Sequence, residues 1–186
     1  KWVTKHPAHK DKAVIVSAGP YIDYAKLEKF IHDNPGCKVL SVKHALPGLM
    51  KNGIIPWGCI VLDPRPITGK STHNIVRKDL FEKTDPSINF FVASMTDPSV
   101  TEYLKEKDTH MWGWHAFTDS LREEEEQGKV IEKQQVKLSE ELGIPQGATL
   151  ITGGTCAAMR GIGMLHTMGF RDIHLFGFDC CRDEPT

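Results

Sequence analysis

Two aspartates in this 186-residue chain close apolar runs: Asp63 after residues 59–62 and Asp179 after residues 173–178. Carboxylates that end strands on one sheet edge are placed to hold Mg²⁺ between phosphates. Asp179 could equally hold a ribose or acceptor hydroxyl, and either aspartate could simply cap a turn. Phosphates in turn need backbone N–H donors and little side-chain bulk. Ser17-Ala18-Gly19-Pro20 offers this after one apolar run, where a glycine lets backbone approach a ligand, or makes a plain tight turn. Gly153-Gly154-Thr155 offers it after another. Thr155 is the expected helix cap, and the free N–H groups of the first helical turn attract phosphate or carboxylate.

Gly69-Lys70-Ser71 suggests a P-loop, but the pattern requires glycine where Pro64 stands, and Pro64 and Pro66 lack N–H donors. Arg65 and Lys70 remain candidates for pairing with phosphates. His110, Trp112, Trp114 and His115 alternate. In a strand the two tryptophans share a face, as core or rim packing or as a platform for a base, and His115 lies on the other face as a candidate acid or base. The dinucleotide fingerprint GxGxxG is absent, and no acidic residue ends the second strand to hold a ribose, which argues against a nicotinamide-dependent oxidoreductase.

The elements that must position these groups alternate. Strands are expected over residues 13–17, 38–42, 59–62, 89–94, 110–117, 149–152 and 173–178. Helices are expected over 22–32, 45–51, 97–105 and from Thr155 to Gly169, with a short helix near 76–81. This rhythm predicts an α/β, Rossmann-like three-layer domain with a mostly parallel sheet of about six strands. Residues 1–186 read as a single such domain, expected to be part of a longer chain, with a charged helical segment or insertion at about 119–143. A net charge of −1 argues against a nucleic-acid partner, and no apolar run is long enough to span a bilayer. The five cysteines show no metal-finger spacing and read as reduced core thiols of a cytoplasmic protein.

Taken in order, these motifs resemble a known group. Val16-Ser17-Ala18-Gly19-Pro20, then Gly53-Ile54-Ile55-Pro56 and Val61-Leu62-Asp63-Pro64, then Gly153-Gly154-Thr155, Met168-Gly169-Phe170 and Leu175-Phe176-Gly177-Phe178-Asp179, are similar to the family of 6-hydroxymethylpterin diphosphokinase MptE-like proteins, which includes the motility-associated flagellin glycosyltransferases. The bacterial sialyltransferases of glycosyltransferase family 42 are more distantly similar. The resemblance implies a nucleotide donor, ATP or a CMP-activated sugar. Ala18, Gly19 and Pro20 would form one nucleotide-contacting loop and Thr152, Gly153, Gly154 and Thr155 a second, with Asp179 following the last strand. Tyr21 stands where the family has a small polar residue, and Lys43 or His44 where the sialyltransferases have an Asn. The expected function is a nucleotide-dependent transferase with an unidentified acceptor. The alternative is a binding module that keeps the fold without the chemistry.

Overall fold

The computed structural model describes residues 1–68, 76–117, 140, 143–145 and 147–179. Its strands are β1 (Lys12–Val16), β2 (Lys38–Val42), β3 (Gly58–Val61), β4 (Ile67–Thr68), β5 (Val76–Arg77), β6 (Asn89–Ala93), β7 (His110–Ala116), β8 (Leu150–Ile151) and β9 (Asp172–Phe176). Helices are α1 (Tyr24–Asp33), α2 (Leu46–Lys51), α3 (Pro98–Glu106) and α4 (Ala157–Thr167), with a 3₁₀ turn over Lys78–Phe81. Seven strands form one sheet in the order β8-β7-β6-β3-β2-β1-β9, and β4 pairs with β5 alone. The short helix expected near 76–81 is the 3₁₀ helix over Lys78–Phe81, preceded by β5.

Each pairing within the large sheet is parallel. That explains the unbroken apolar runs, since a parallel sheet buries both of its faces. The two faces can be read from alternate residues. Cys59, Val61, Phe90 and Val92 pack against Leu46 of α2, Leu80 and Phe81 of the 3₁₀ turn, and Val100 and Leu104 of α3. Ile60, Phe91, Ala93 and Trp114 point the other way, toward Met164 and Leu165 of α4. Complete burial of an apolar side chain is worth about 1.5–3 kcal/mol, so the dozen largest buried side chains make this double layer the main source of stability.

Topology fixes where ligands can meet the fold. From β1 to β8 the chain steps across the sheet in one direction, and right-handed crossovers keep α1, α2 and α3 on one face. To reach β9 it must return across the whole sheet, and α4 does so on the opposite face, touching β8, β3, β2 and β1 on the way. Small residues permit this close crossing. A Cβ on Gly161 would lie 3.5 Å from Ile15 and Leu40, whereas one on Gly163 would overlap the Thr152 carbonyl oxygen. Strand order reverses between β2-β1 and β1-β9, and α4 starts at the carboxyl edge, where open α/β sheets bind ligands.

Residues 1–11 form a strap over the other end of α4. Val3 N–H donates to Gly113 O (2.9 Å), His6 N–H to Thr167 O (2.9 Å) and His9 N–H to Gly169 O (2.9 Å). No helix among the described residues is long and apolar enough to cross a membrane.

Candidate functional site

A cavity of about 280 Å³ opens at the carboxyl edge, lined by Ser17 and Ala18 after β1, Val42, Lys43 and His44 at the end of β2, Leu62 after β3, and Cys156, Ala157 and Ala158 at the start of α4. The helix begins one residue later than the sequence suggested. Cys156, not Thr155, is its N-cap; no side chain caps it, and no acidic residue lies in its first turn. The reason is the loop before it. Gly153 has φ +129°, and a Cβ there would come within 2.9 Å of the Met159 carbonyl oxygen, so the chain folds tightly under the first turn and carries Thr155 past the capping position. An uncapped helix start aims partial positive charge and free N–H donors outward.

Three cations reinforce that charge. Lys43, 6% exposed, pairs with Asp63, 3% exposed. Arg65 grips the same carboxylate with two donors, Nε to Oδ1 at 2.7 Å and Nη2 to Oδ2 at 2.6 Å, and its backbone N–H adds a third at 3.1 Å. Burial opposes ionisation of Asp63, but the hydrogen bonds from Arg65 and Lys43 outweigh it and hold the carboxyl well below the usual range. Burial pulls the Lys43 ammonium down, opposed by Asp63. Lys43 and Arg65 thus both contact the Asp63 carboxylate. Arg160, 8% exposed, donates to the Ile151 carbonyl oxygen (2.6 Å), and none of the described ion pairs supplies it a carboxylate. Burial, and next the positive charge of Lys43, lower the pKa of His44, which favours the neutral ring on the cavity wall.

The expected site residues are distributed unevenly about this cavity. Ala18 lines it, whereas Arg65 is outside its lining and holds Asp63, the partner of the lining residue Lys43. Gly19 and Pro20 follow Ala18, but Gly19 serves the β1–β9 junction: its Cβ would overlap Asp179 Oδ2 and lie 2.5 Å from the Gly177 carbonyl oxygen. Thr152, Gly153, Gly154 and Thr155 form the turn beneath the helix start. Asp179 accepts from the Tyr21 N–H (3.0 Å), so its carboxylate closes the β1–β9 junction. Asp63 ends β3, three strands from β9 and about 14 Å away at the usual strand spacing. Asp63, expected to share one Mg²⁺ with Asp179, is engaged here by Lys43 and Arg65. Among the described residues, no group of three His, Cys, Asp or Glu side chains could hold a metal. His115 stands apart, two strands beyond β3, with Nδ1 against Ser94 Oγ and its pKa lowered by burial. Lys70 lies outside the described residues.

Sequence reasoning passed over Lys43, His44 and Cys156. The first two carried a usable signal, two basic residues directly after a buried strand. Cys156 is exposed, unlike the core thiol Cys59, and both are free, as is Cys37.

The family model for 6-hydroxymethylpterin diphosphokinase MptE-like proteins matches residues 3–185. The chain belongs to the MptE-like family. Among solved structures, it is similar to the MAf glycosyltransferase from Magnetospirillum magneticum AMB-1, with a TM-score of 0.65 and 18% identity, which establishes a shared fold. That alignment covers 99% of this chain and 25% of the glycosyltransferase, so the MptE-like chain spans about a quarter of that structure's length. No curated protein matches significantly.

Proposed function

We propose that this MptE-like domain is a nucleotide-dependent transferase that seats the phosphates of a nucleotide or nucleotide-sugar donor in the carboxyl-edge cavity. One observation carries the reading: the uncapped first turn of α4, the Ser17-Ala18 loop and Lys43 face one cavity, giving it N–H donors and a cationic side chain. Such a site favours a polyanion and stabilises negative charge developing on a diphosphate leaving group. Ala18, Cys156, Ala157 and Ala158 leave room for phosphate, and neutral His44 offers a hydrogen bond to a sugar or base. Membership of a family described by a diphosphokinase, and a glycosyltransferase with the same fold, support transfer chemistry. Asp179, beside the loop after β1, would orient a ribose or acceptor hydroxyl in this reading.

The test is a thermal-shift screen with ATP, CTP, CMP, CMP-sugars, UDP-sugars and GDP-sugars, each with and without Mg²⁺. A ligand at a hundred times its Kd adds about 2.7 kcal/mol. Stabilisation by ATP only with Mg²⁺ indicates diphosphate transfer, and stabilisation by a sugar nucleotide without metal indicates glycosyl transfer. No shift with any of them defeats the proposal.

A further inference from the structure

A second cavity, of about 300 Å³, lies at the opposite, amino edge of the sheet, far from the helix start that defines the first. Its aromatic lining comes from five separate places: Trp2 of the strap, Trp57 before β3, Phe91 of β6, Trp112 of β7 and Phe170 after α4. Phe91 and Phe170 are almost wholly buried, while Trp57 and Trp112 are half-buried. Trp57 lies 5.2 Å from Phe91 and 6.4 Å from Phe170 by ring centroids, at tilted angles, so the rings form a bowl rather than a stack.

The polar groups around this bowl are mostly satisfied by one another. Asn89 donates to the Trp57 carbonyl oxygen (3.0 Å) and accepts from Trp112 Nε1 (3.0 Å). His9 donates from Nε2 to the Met168 carbonyl oxygen (3.1 Å), accepts at Nδ1 from the Asp11 N–H (3.3 Å), and sets its ring edge-on to Phe170 at 4.5 Å. A hydroxylated ligand such as a sugar would find few open partners. What the bowl offers is ring faces, with the largely exposed Asp11 carboxylate at the rim. Ring faces carry negative electrostatic potential and attract organic cations, tryptophan most strongly. The chain already demonstrates this, because the Lys1 ammonium sits over the Trp112 ring, 5.2 Å from its centroid.

We propose that this amino-edge bowl binds a quaternary or methylated ammonium group, with Trp57 and Trp112 as the cation-binding walls and Asp11 as the counter-charge. The assignment is independent of the carboxyl-edge cavity. A volume of about 300 Å³ is at the small end for ligand sites, as suits a single ammonium head group rather than a whole nucleotide.

Choline chloride is the probe, titrated at constant ionic strength against the full chain and followed by tryptophan fluorescence and calorimetry. Its neutral isostere 3,3-dimethylbutan-1-ol is the control. Saturable binding of choline, with the isostere much weaker, is expected. Trp57→Leu and Trp112→Leu should each weaken binding by between about threefold and about thirtyfold. Equal binding of the isostere would reduce the bowl to an apolar pocket and overturn the proposal. So would the absence of saturation by choline, or full binding by the Trp57→Leu and Trp112→Leu variants.

Discussion

Replacing Ala157 with Glu separates a structural helix start from a ligand-binding one, because the two roles predict opposite signs. Ala157 is the first residue of α4, beside an N-cap without a side-chain bond, and the first turn holds no carboxylate. A glutamate there meets the positive end of the helix and should stabilise the fold by about 0.3–1 kcal/mol. For a domain of this size each kcal/mol raises Tm by about 2–4 °C, so the unliganded variant should melt about 1–4 °C higher. The same carboxylate lies on the cavity wall. It would occupy the N–H donors and repel phosphate. The parent, at a hundred times Kd of its nucleotide, gains about 2.7 kcal/mol, which is a rise of about 5–11 °C. In the variant that rise should vanish at the same concentration. The assay is a paired melt with and without nucleotide, with circular dichroism to confirm the fold. A variant that melts higher and still shows the full ligand shift would refute the placement of phosphate at the start of α4. A variant that melts lower would refute the account of the uncapped helix.

Asp63→Asn leaves Lys43 buried without its anion and should cost about 3–5 kcal/mol at neutral pH in denaturant titrations. Because the folded Asp63 carboxyl is held below its unfolded value of about 4, its contribution is full above that pH and fades as the solution is acidified further. The gap between parent and variant should therefore narrow toward pH 3, and a gap of constant size would rule out the ion-pair account. Two glycines of α4 should respond in opposite ways. Gly161→Ala meets only ordinary contacts with Ile15 and Leu40 and should be neutral or stabilising by up to about 1 kcal/mol, whereas Gly163→Ala forces a methyl into the Thr152 carbonyl and should destabilise; equal effects on Tm would contradict the close crossing. Cys156, exposed at the cavity, should be alkylated by iodoacetamide far faster than buried Cys59, and a bound nucleotide should slow that reaction. Mass spectrometry of the labelled peptide reads both effects, and unchanged labelling with saturating nucleotide would place the ligand elsewhere.

Local chemistry was enough to reveal the layers of this fold. Uninterrupted apolar runs such as residues 13–16 and 59–61 fit strands buried on both faces, and the helical stretches between them favour parallel pairing, as found. Turn residues bounded the strands to within a residue or two. The helix expected near residues 76–81 starts two residues later, at Lys78, because the pairing of Val76–Arg77 with Ile67–Thr68 is a long-range choice that no local period records. The site was less legible for the same reason. Thr155 has the chemistry of a cap, but the tight turn at Gly153 hands the position to Cys156. Asp63 and Asp179 share a sequence context and part in space, because two strands, β2 and β1, lie between theirs and each meets a different partner, Lys43 with Arg65 in one case and the Tyr21 amide in the other. Lys43 and His44 follow a strand with no motif around them. They acquire a role only because strand order places β2 between β1 and β3, and because the chain must recross the sheet to reach β9, which brings the start of α4 over their side chains.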